Sequence, residues 1–571
     1  MPFTTSDYII TRLAQQNVEA IFGVPAVYCA PVFEAAANTA NFRVVVTSSD
    51  LVAGYAADGY ARTRGLSAVS VAYGVGTLSL LNAVAGAYIE RSPVVVINGG
   101  PSQARIDQQN NTGILFSHSM GQPHSDLEAF RPFTCFAERA TSQAGLPALI
   151  DRAIVAALTK KHPVYLEIAQ PWLGATCPRP SGPLNLSVPA GTAEATARRL
   201  LTEIRNAQQP LLIVGVEIQR FKLAASVLSI IRKLNLRWAS TLLAKSTLPE
   251  NDPGFLGVFN GEHAPSALLT AIRSSDLVIA LGAVFGSGHA STMVPKIDST
   301  IRFWDGQFFW RRGDRPEPVP ITHLVSILNQ LSLADAETPR SKRYARPSRA
   351  KFKSEGEVVW DGDGKLARAP ESKAANPTPV PNGLTYDQLF QVIAEPSFLD
   401  ASMTIVADTF LGIYPAAKLK MPSQDSFVAS ALWASIGHSL AAAVGVAVPS
   451  GKRPVVICGD GGAQMVMESL STMVVQAQRT IVILVDNGLY GYEQYLLRRS
   501  YYANSTEPPL PYAVLARWDY VATAQAMGVS LARTADSIVS LRTALAAAKA
   551  FNAGPALIHA VVQSRSLPSG T

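Results

Sequence analysis

The sequence predicts an α/β protein with three doubly wound domains, each built on a parallel sheet. Its 571 residues are too many for one hydrophobic core and fit three domains of ordinary size. Short apolar runs alternate with helix-like segments, which is the pattern of doubly wound sheets. Residues 454–493 contain a strand, a glycine-rich turn, a helix and a second strand. Such a parallel unit places ligands at the carboxyl ends of its strands.

The first predicted domain spans residues 1–182. Helix-like segments are expected at 7–16 and 53–62. Short apolar runs predict one strand between them, at 42–47, and two strands after them, at 67–72 and 94–98.

The rest of the chain is predicted to form a central domain at 190–333, a linker at 334–383 and a third domain at 384–571. Apolar runs at 210–214 and 277–281 predict strands of the central domain. The linker is rich in Pro, Ser, Lys and Arg and has weak apolar periodicity. In the third domain, runs at 454–458 and 480–485 predict two buried strands.

The net charge of +7 does not by itself indicate a nucleic-acid-binding protein. Residues 340–353 carry seven basic and no acidic residues, so their charge equals the net charge of the whole chain. No stacking platform or nucleic-acid motif accompanies them, so we expect a solvated linker and no nucleic-acid partner.

The cysteines and the N-terminal residues point to a reducing compartment. The four cysteines lie far apart and form no CxxC pair, which argues against a zinc site or a disulfide framework. The first residues include Asp7 and no apolar core of signal-peptide length, so we expect a cytoplasmic protein.

The longest uncharged stretch, 426–451, is long enough to span a membrane. Because it contains His438, several serines and glycines, and adjoins the glycine-rich turn, we expect a buried helix against a cofactor and no membrane association.

The glycine-rich turn suggests a phosphate and a divalent cation. Gly461 and Gly462 allow close approach of a phosphate to the backbone and to the start of a helix. Asp460 ends one predicted strand, and Asn487, 27 residues later, ends the other. If the strands are neighbours, these side chains offer the oxygen ligands that Mg²⁺ prefers. The alternative is an ordinary strand, turn and helix in which Asp460 is only a cap.

The spacing from Asp460 to Asn487 resembles the thiamine diphosphate fingerprint. Further segments resemble the pyruvate and indolepyruvate decarboxylases, at 19–25, 53–62, 76–79, 91–94, 163–168 and 241–260. The resemblance covers most of the chain outside 334–383. It implies a 2-oxo acid decarboxylase or carboligase that uses thiamine diphosphate and Mg²⁺.

The resemblance also implies how the third domain holds the cofactor. Ile436 is expected to support the bent cofactor, and the carbonyl of Ala434 to accept a hydrogen bond from the pyrimidine amino group. Mg²⁺ is expected on Asp460, Asn487 and the backbone carbonyl of Leu489. The other cofactor-binding positions implied in this domain are Thr409, Gly459, Gly461, Gly462, Tyr490 and Gly491.

The catalytic carboxylate implied by the resemblance is Asp50, which stands where the family normally has a glutamate. Its role is to protonate the pyrimidine ring nitrogen. An aspartate keeps the acid but shortens its reach by one methylene, roughly 1.5 Å. Because proton transfer needs hydrogen-bond distance, either the backbone has moved or activation is weaker. The alternative is that Asp50 is only a helix cap.

The acid–base set around the substrate departs from the decarboxylases at two positions. Their aspartate two residues after the Phe-Gly-Val-Pro run is replaced by Val27, and the first histidine of their His-His pair by Ser117. The second histidine is kept as His118, and a glutamate six residues after Asn487 is kept as Glu493. The candidate catalytic residues are thus Asp50, Ser117, His118 and Glu493, and the candidate substrate pocket is lined by Val27, Tyr28, Phe410 and Tyr492.

These departures lead to a functional hypothesis. With Val27 and Ser117 in place, protonation of the intermediate left after CO₂ loss should be slower, so it can attack a second carbonyl. We therefore expect an acyloin-forming carboligase that takes a 2-oxo acid and a carbonyl acceptor. The alternatives are a simple decarboxylase for an aromatic or branched 2-oxo acid, an enzyme similar to acetolactate synthase, and a paralogue that has lost catalysis. The family resemblance implies a homodimer or homotetramer with the active site between subunits.

Overall fold

A computed structural model describes residues 2–335, 380, 382–448 and 451–571. Most of the predicted linker at 334–383, including the basic run at 340–353, lies outside the described residues. Within them the chain folds around three separate sheets.

The first domain contains a six-stranded sheet in the order β2-β1-β3-β4-β6-β5, with every pairing parallel. Its strands are β1 (Ala20–Gly23), β2 (Arg43–Val46), β3 (Ser67–Ser70), β4 (Val94–Gly100), β5 (Ala137–Arg139) and β6 (Val164–Ala169). Its helices are α1 (Thr5–Gln15), α2 (Ala30–Ala37), α3 (Asp50–Arg64), α4 (Val75–Ile89), α5 (Gln103–Thr112), α6 (Ser125–Phe130), α7 (Leu146–Lys160) and α8 (Gln170–Leu173).

The central domain contains a seven-stranded sheet in the order β13-β12-β11-β10-β7-β8-β9. Five strands are parallel, and β12 and β13 add a short antiparallel edge. Its strands are β7 (Pro210–Val214), β8 (Arg237–Thr241), β9 (Phe255–Phe259), β10 (Leu277–Leu281), β11 (Thr300–Trp304), β12 (Gln307–Phe309) and β13 (Glu317–Pro318). Its helices are α9 (Ala193–Asn206), α10 (Val216–Arg220), α11 (Ala224–Lys233), α12 (Ser266–Ser274), α13 (Ala290–Met293) and α14 (Ile321–Gln330).

The third domain repeats the strand order of the first, as β15-β14-β16-β17-β19-β18, again all parallel. Its strands are β14 (Met403–Ala407), β15 (Phe427–Ala429), β16 (Arg453–Gly459), β17 (Ile481–Asp486), β18 (Leu531–Ala535) and β19 (Ala556–Val561). Its helices are α15 (Tyr386–Ile393), α16 (Ile413–Lys418), α17 (His438–Val446), α18 (Asp460–Val466), α19 (Ser469–Val475), α20 (Gly491–Leu497), α21 (Ser500–Ala503), α22 (Tyr520–Ala526) and α23 (Ile538–Ala550).

The first and third domains pack together through equivalent helices. Helix α3 follows β2 in the first sheet, and α17 follows β15, the corresponding strand of the third. A Cβ added to Gly59 of α3 would overlap the backbone of Ala442, and one added to Gly445 of α17 would overlap the backbone of Ala56. The two helices therefore approach each other closely, because each presents a glycine at the crossing.

A buried ionic network joins the same two domains. The guanidinium of Arg62 pairs with Asp58, one turn away on α3, and with Glu90 at the end of α4, at 2.8 and 2.5 Å. It also donates to the carbonyl of Ala429 in β15. Asp58 accepts from Nε2 of His438, the first residue of α17, at 2.7 Å. Charges this deeply buried are stable only when they are paired and hydrogen-bonded.

The uncharged stretch at 426–451 is divided between elements. It contains β15, an irregular segment and the nine-residue helix α17, every residue of which is buried. Among the residues the structure describes, no helix has the length and apolarity that crossing a membrane requires. The buried helix expected there is confirmed.

The four cysteines are free thiols, as the lack of CxxC pairs predicts.

The direction in which Gly445→Ala changes the stability of the protein tests the close contact between α3 and α17. In the interior of a helix, a Gly-to-Ala change normally stabilises a protein by about 1 kcal/mol. At Gly445 the added methyl group would meet the Ala56 carbonyl oxygen. We therefore expect Gly445→Ala to destabilise the protein by about 1–3 kcal/mol, measured as a lower thermal-unfolding midpoint.

The matched control is Gly174→Ala, at a position where an added Cβ meets nothing within 4 Å. It should leave the midpoint unchanged or slightly raised. A Gly445→Ala protein as stable as the control would show that the two helices are not in close contact.

Candidate active site

The carboxyl ends of β16 and β17 bring the predicted metal ligands together. The strands are parallel neighbours in register Gly459↔Val485, which confirms the arrangement expected from the sequence. Asp460 opens α18 directly after β16, and Asn487 follows β17. The backbone N–H of Gly488 donates to Oδ2 of Asp460 at 2.8 Å, so the two strand ends are hydrogen-bonded to each other.

The charges around Asp460 suit a cation. Burial, followed by the nearby carboxylate of Asp486, raises the pKa of Asp460 well above its usual range. Burial acts on Asp486 as well, but hydrogen bonding from His559 and the charge of Arg517 outweigh it and lower the pKa of Asp486. A buried pair of carboxylates is relieved by a nearby divalent ion. Together with the Asn487 amide and the Leu489 carbonyl, Asp460 supplies the oxygen donors that suit Mg²⁺.

The two glycines after Asp460 are required by close packing. A Cβ on Gly461 would lie 2.5 Å from Cε1 of Tyr490, and one on Gly462 would lie 2.6 Å from Oδ2 of Asp408. Both glycines are buried in the first turn of α18, which therefore has no room for side chains at these positions. Tyr490, a predicted cofactor-binding residue, covers Gly461, and Gly491 packs against the amide of Asn487.

Asp408 is a site residue that the sequence reasoning missed. It directly follows β14 and is 1% exposed. It accepts hydrogen bonds from the backbone N–H groups of Thr409, at 2.9 Å, and Gly437, at 3.0 Å. Burial raises the pKa of its carboxyl group to about 6. The available signal was an acidic residue directly after the mainly apolar run at 403–407.

The predicted cofactor support at Ala434 and Ile436 lies in an irregular segment, residues 430–437. Ala434 has φ +56°, a left-handed conformation that costs a residue with a Cβ about 1–2 kcal/mol. Ile436 is only partly buried, so its side chain remains accessible. Backbone strain of this kind persists where surrounding contacts enforce it, and such strain is concentrated at functional sites.

Further contacts that hold this segment come from the first domain. Glu90 accepts from the backbone N–H groups of Leu432, at 2.8 Å, and Trp433, at 3.0 Å. The hydroxyl groups of Tyr55 and Ser435 are 2.5 Å apart. The ionic network of Arg62 thus continues into the cofactor-supporting segment. No local sequence pattern predicts this link, because its partners are more than 300 residues apart.

Asp50 occupies the first turn of α3 but is not its cap. The N-cap is Ser49, whose Oγ accepts from the N–H of Val52. The Asp50 carboxylate lies beside Gly76, where an added Cβ would be 2.9 Å from its Oδ1. Burial raises the pKa of Asp50. The carboxyl group therefore holds its proton more strongly than a free aspartate, which suits a group that shares a proton with a ring nitrogen.

The remaining first-domain candidates lie together at the carboxyl end of the sheet. Val27 is 77% exposed, whereas its neighbour Tyr28 is 6% exposed. The Tyr28 hydroxyl donates to the carbonyl of Ser117 at 3.3 Å, and its ring lies 6.3 Å from that of His118. Ser117 and His118 are both exposed, and His118 has φ +66°.

The third-domain pocket candidates differ in accessibility. Glu493 is exposed on the short helix α20. Tyr492 is half-buried and hydrogen-bonds to the hydroxyl of Tyr414 at 3.1 Å. Phe410 is 9% exposed and packs against Gly459 and Gly412. His438, which adjoins this region, faces Asp58 in the buried network.

Within one chain, the structure does not place Asp50 at the Asp460 end of α18. Ser49 donates to the carboxylate of Glu468, and Ser48 to its carbonyl. Glu468 lies just beyond the other end of α18, about 12 Å from Asp460 at helical rise.

Both halves of the site also expose large apolar side chains. In the first domain these are Val27, Val75, Ile114, Leu115 and Met120, and in the third domain Trp433, Met465, Leu496 and Leu497.

Comparison with known proteins agrees with this geometry. Three thiamine pyrophosphate enzyme models match the chain: the N-terminal TPP binding domain at residues 3–124, the central domain at 197–303 and the C-terminal TPP binding domain at 412–560.

Similar relatives extend along nearly the whole chain. An alpha-keto-acid decarboxylase of Mycobacterium tuberculosis (strain ATCC 25618 / H37Rv) is 28% identical over 99% of this chain and 95% of its own length. The alpha-keto-acid decarboxylase of Mycobacterium leprae (strain TN) is 26% identical over 99% of this chain and 94% of its own. With all three domain models present in order, the chain belongs to the thiamine pyrophosphate enzymes.

Proposed function

We propose that this protein is a thiamine-diphosphate- and Mg²⁺-dependent enzyme that removes CO₂ from a 2-oxo acid and joins the remaining acyl unit to a second carbonyl compound, which forms an acyloin. The observation that carries the proposal is Val27. It is 77% exposed at the carboxyl end of the first sheet, at the position where the decarboxylases carry an aspartate. Without that acid, the carbon that has lost CO₂ is protonated more slowly.

Bound thiamine diphosphate supplies the electron sink that makes loss of CO₂ possible. The chain's own residues hold and activate it. Asp460, Asn487 and the Leu489 carbonyl would hold Mg²⁺ and, with it, the diphosphate, and Ile436 would support the ring junction. Asp50 would keep a proton at the pyrimidine ring nitrogen, a role favoured because burial raises the pKa of its carboxyl group.

The residues left to protonate the substrate carbon are His118 and Glu493. Both are exposed, one in each half of the site. Ser117 points its carbonyl toward the Tyr28 hydroxyl, and its own hydroxyl is a poor acid at neutral pH. The set therefore keeps two proton carriers where the decarboxylases have four. A slower proton transfer leaves time for a second carbonyl to be attacked at the same carbon.

The second candidate is a simple 2-oxo acid decarboxylase that releases an aldehyde. It is favoured by the relatives, which are named alpha-keto-acid decarboxylases and align along nearly the whole chain. In that case His118 and Glu493 are sufficient for protonation. A paralogue without catalysis is disfavoured, because the metal ligands, the glycine turn and a carboxylate with a raised pKa are all present.

We also propose that the active site is completed by a second copy of this chain. Two observations support this assembly. In one chain Asp50 lies near the Glu468 end of α18 rather than the Asp460 end. Both half-sites also expose apolar side chains, which is typical of surfaces that pack against a partner.

The first prediction concerns product choice. Restoring the missing acids in a Val27→Asp, Ser117→His double variant should raise the ratio of aldehyde to acyloin about 10- to 100-fold, because a positioned acid speeds proton transfer by about that factor or more. The measurement is mass spectrometry of products from a panel of 2-oxo acids, with and without added aldehyde.

The matched control for that variant is Val539→Asp, which makes the same change at a valine that is 74% exposed on α23. It should keep the wild-type ratio. The carboligase proposal is wrong if the wild-type enzyme with added aldehyde releases only free aldehyde and never joins two carbonyl units.

The second prediction concerns assembly. Asp50→Ala and Asp460→Ala should each be inactive, since one loses the ring-nitrogen acid and the other the metal ligand. Subunit exchange between them should restore about one quarter of wild-type activity, because half of the dimers are mixed and one of their two sites is intact.

The exchange is carried out by mild dissociation and reassembly, and decarboxylation is followed as CO₂ release. Mixing two preparations of Asp50→Ala serves as the control. A site contained in one chain predicts no recovery in either mixture.

A further inference from the structure

A basic cavity of about 900 Å³ lies between the first and central domains, away from the third-domain motifs. Five lysine and arginine side chains line it: Arg91, Lys160 and Lys161 from the first domain, and Arg220 and Lys222 from the central domain. One carboxylate, Asp305, and His162 also face it. Positive charge is therefore in excess in this cavity.

Three of these cations have left-handed backbones. Arg91, Lys161 and Lys222 have φ of +60°, +55° and +57°. Each follows the end of a helix, α4, α7 or α10. Such positions usually carry glycine or asparagine, because a Cβ makes the conformation unfavourable. The chain instead places a long cation at all three positions, and all three line the same cavity. Strained backbone is a recurrent feature of ligand-binding sites.

The positive charge is only partly neutralised. Arg91 forms ion pairs with Glu217 and Asp305. Within the described part of the chain, no ion pair joins a carboxylate to Lys161, Lys222 or Arg220. Burial, then the charges of Lys222 and Arg220, lower the pKa of Lys161 to about 8. Burial, then the charge of Arg62, lower the pKa of Arg220 to about 9. These cations therefore repel one another.

The helix ends explain only part of this arrangement. A helix C-terminus carries about half an elementary negative charge, which favours a cation beside it. Three such ends offset less charge than the five lysine and arginine side chains bring, even after Asp305 and Glu217, the partners of Arg91, are counted. An anion in the cavity would neutralise the remaining excess.

The cavity also has an apolar wall and a position suited to ligands. Tyr88, Phe221, Leu186 and Val188 line it beside the charged groups. Asp305 follows the carboxyl end of β11, and α10 follows β7. In doubly wound domains, the carboxyl ends of the strands are where ligands bind.

We propose that the basic cavity binds a small molecule with two or more negative charges, a phosphate or a dicarboxylate, held by Lys161 from the first domain and Lys222 from the central domain. Because the two lysines belong to different domains, the bound anion ties these domains together. This site is separate from the cofactor site, and its occupancy does not depend on catalysis.

The test uses holoenzyme saturated with thiamine diphosphate and Mg²⁺, so that added phosphate does not enter the diphosphate site. Thermal-unfolding midpoints are recorded against inorganic phosphate and against succinate, with sodium chloride holding ionic strength constant. We expect a saturable rise of several degrees in the wild type with at least one of the two anions. The anion that acts distinguishes a phosphate site from a dicarboxylate site.

The decisive variant is Lys161→Gln, Lys222→Gln, in which the rise should need at least tenfold more anion. Lys420→Gln removes one lysine outside the cavity and should respond as the wild type does. A second variant, Lys161→Gly, Lys222→Gly, should have a higher midpoint than the wild type without any anion, because repulsion and left-handed strain are both removed.

Equal responses of the wild type and the Lys161→Gln, Lys222→Gln variant would overturn the proposal, as would the absence of any rise with both anions. Titration calorimetry on the wild type should give one site per chain. Several weak sites would also count against a built anion site.

Discussion

The arrangement of the first and third domains depends on the ion pairs and the hydrogen bond that the buried guanidinium of Arg62 makes. It neutralises Asp58 and Glu90 and donates to β15, while Asp58 holds His438 at the start of α17. Removing one member would leave an uncompensated charge in the interior, which costs about 3–5 kcal/mol in comparable buried pairs. The close glycine crossing of α3 and α17 serves the same contact. The position of the cofactor-supporting segment follows from this network, because Glu90 fixes the N–H groups that precede Ala434.

The first and third domains share one strand order, yet the residues that follow their strands differ in character. In the third domain, β14 and β16 are followed directly by Asp408 and Asp460, and β17 ends at Asp486. In the first domain, β1, β3 and β4 are followed by Val24, Val71 and Pro101. A sheet with acids at its carboxyl edge can hold a metal and hydrogen-bond a turn, whereas an apolar edge can cover a ring. The same architecture therefore supplies two chemically distinct half-sites.

The sequence patterns predicted features that depend on residues close to one another in the chain. The apolar runs at 210–214 and 277–281 coincide with β7 and β10. The predicted glycine-rich turn is instead the first turn of α18, which begins at Asp460. Helix α3 begins three residues earlier than its apolar pattern suggested, because Ser49 caps it. The hydrogen bond from Gly437 to Asp408, and the contact of Glu90 with the 432–433 backbone, could not be predicted in this way. Their partners come from strands and helices distant in sequence, so only the folded chain brings them together. The left-handed backbone of Ala434 is likewise imposed by neighbours rather than encoded by a glycine.

The proposed assembly gives the Arg62 network a further consequence. In a dimer, the segment at 430–437 is held by Glu90 and Tyr55 of its own chain, while the acid for the pyrimidine ring comes from Asp50 of the partner subunit. Each cofactor would then be positioned by two first domains at once. In each chain, Asp50 and the residues that hold the segment lie on the same helix, α3, or on α4 beside it. A shift of α3 would therefore move the ring support in one active site and the proton carrier in the other. In the proposed assembly, the buried ion pairs that hold α3 would therefore support both active sites.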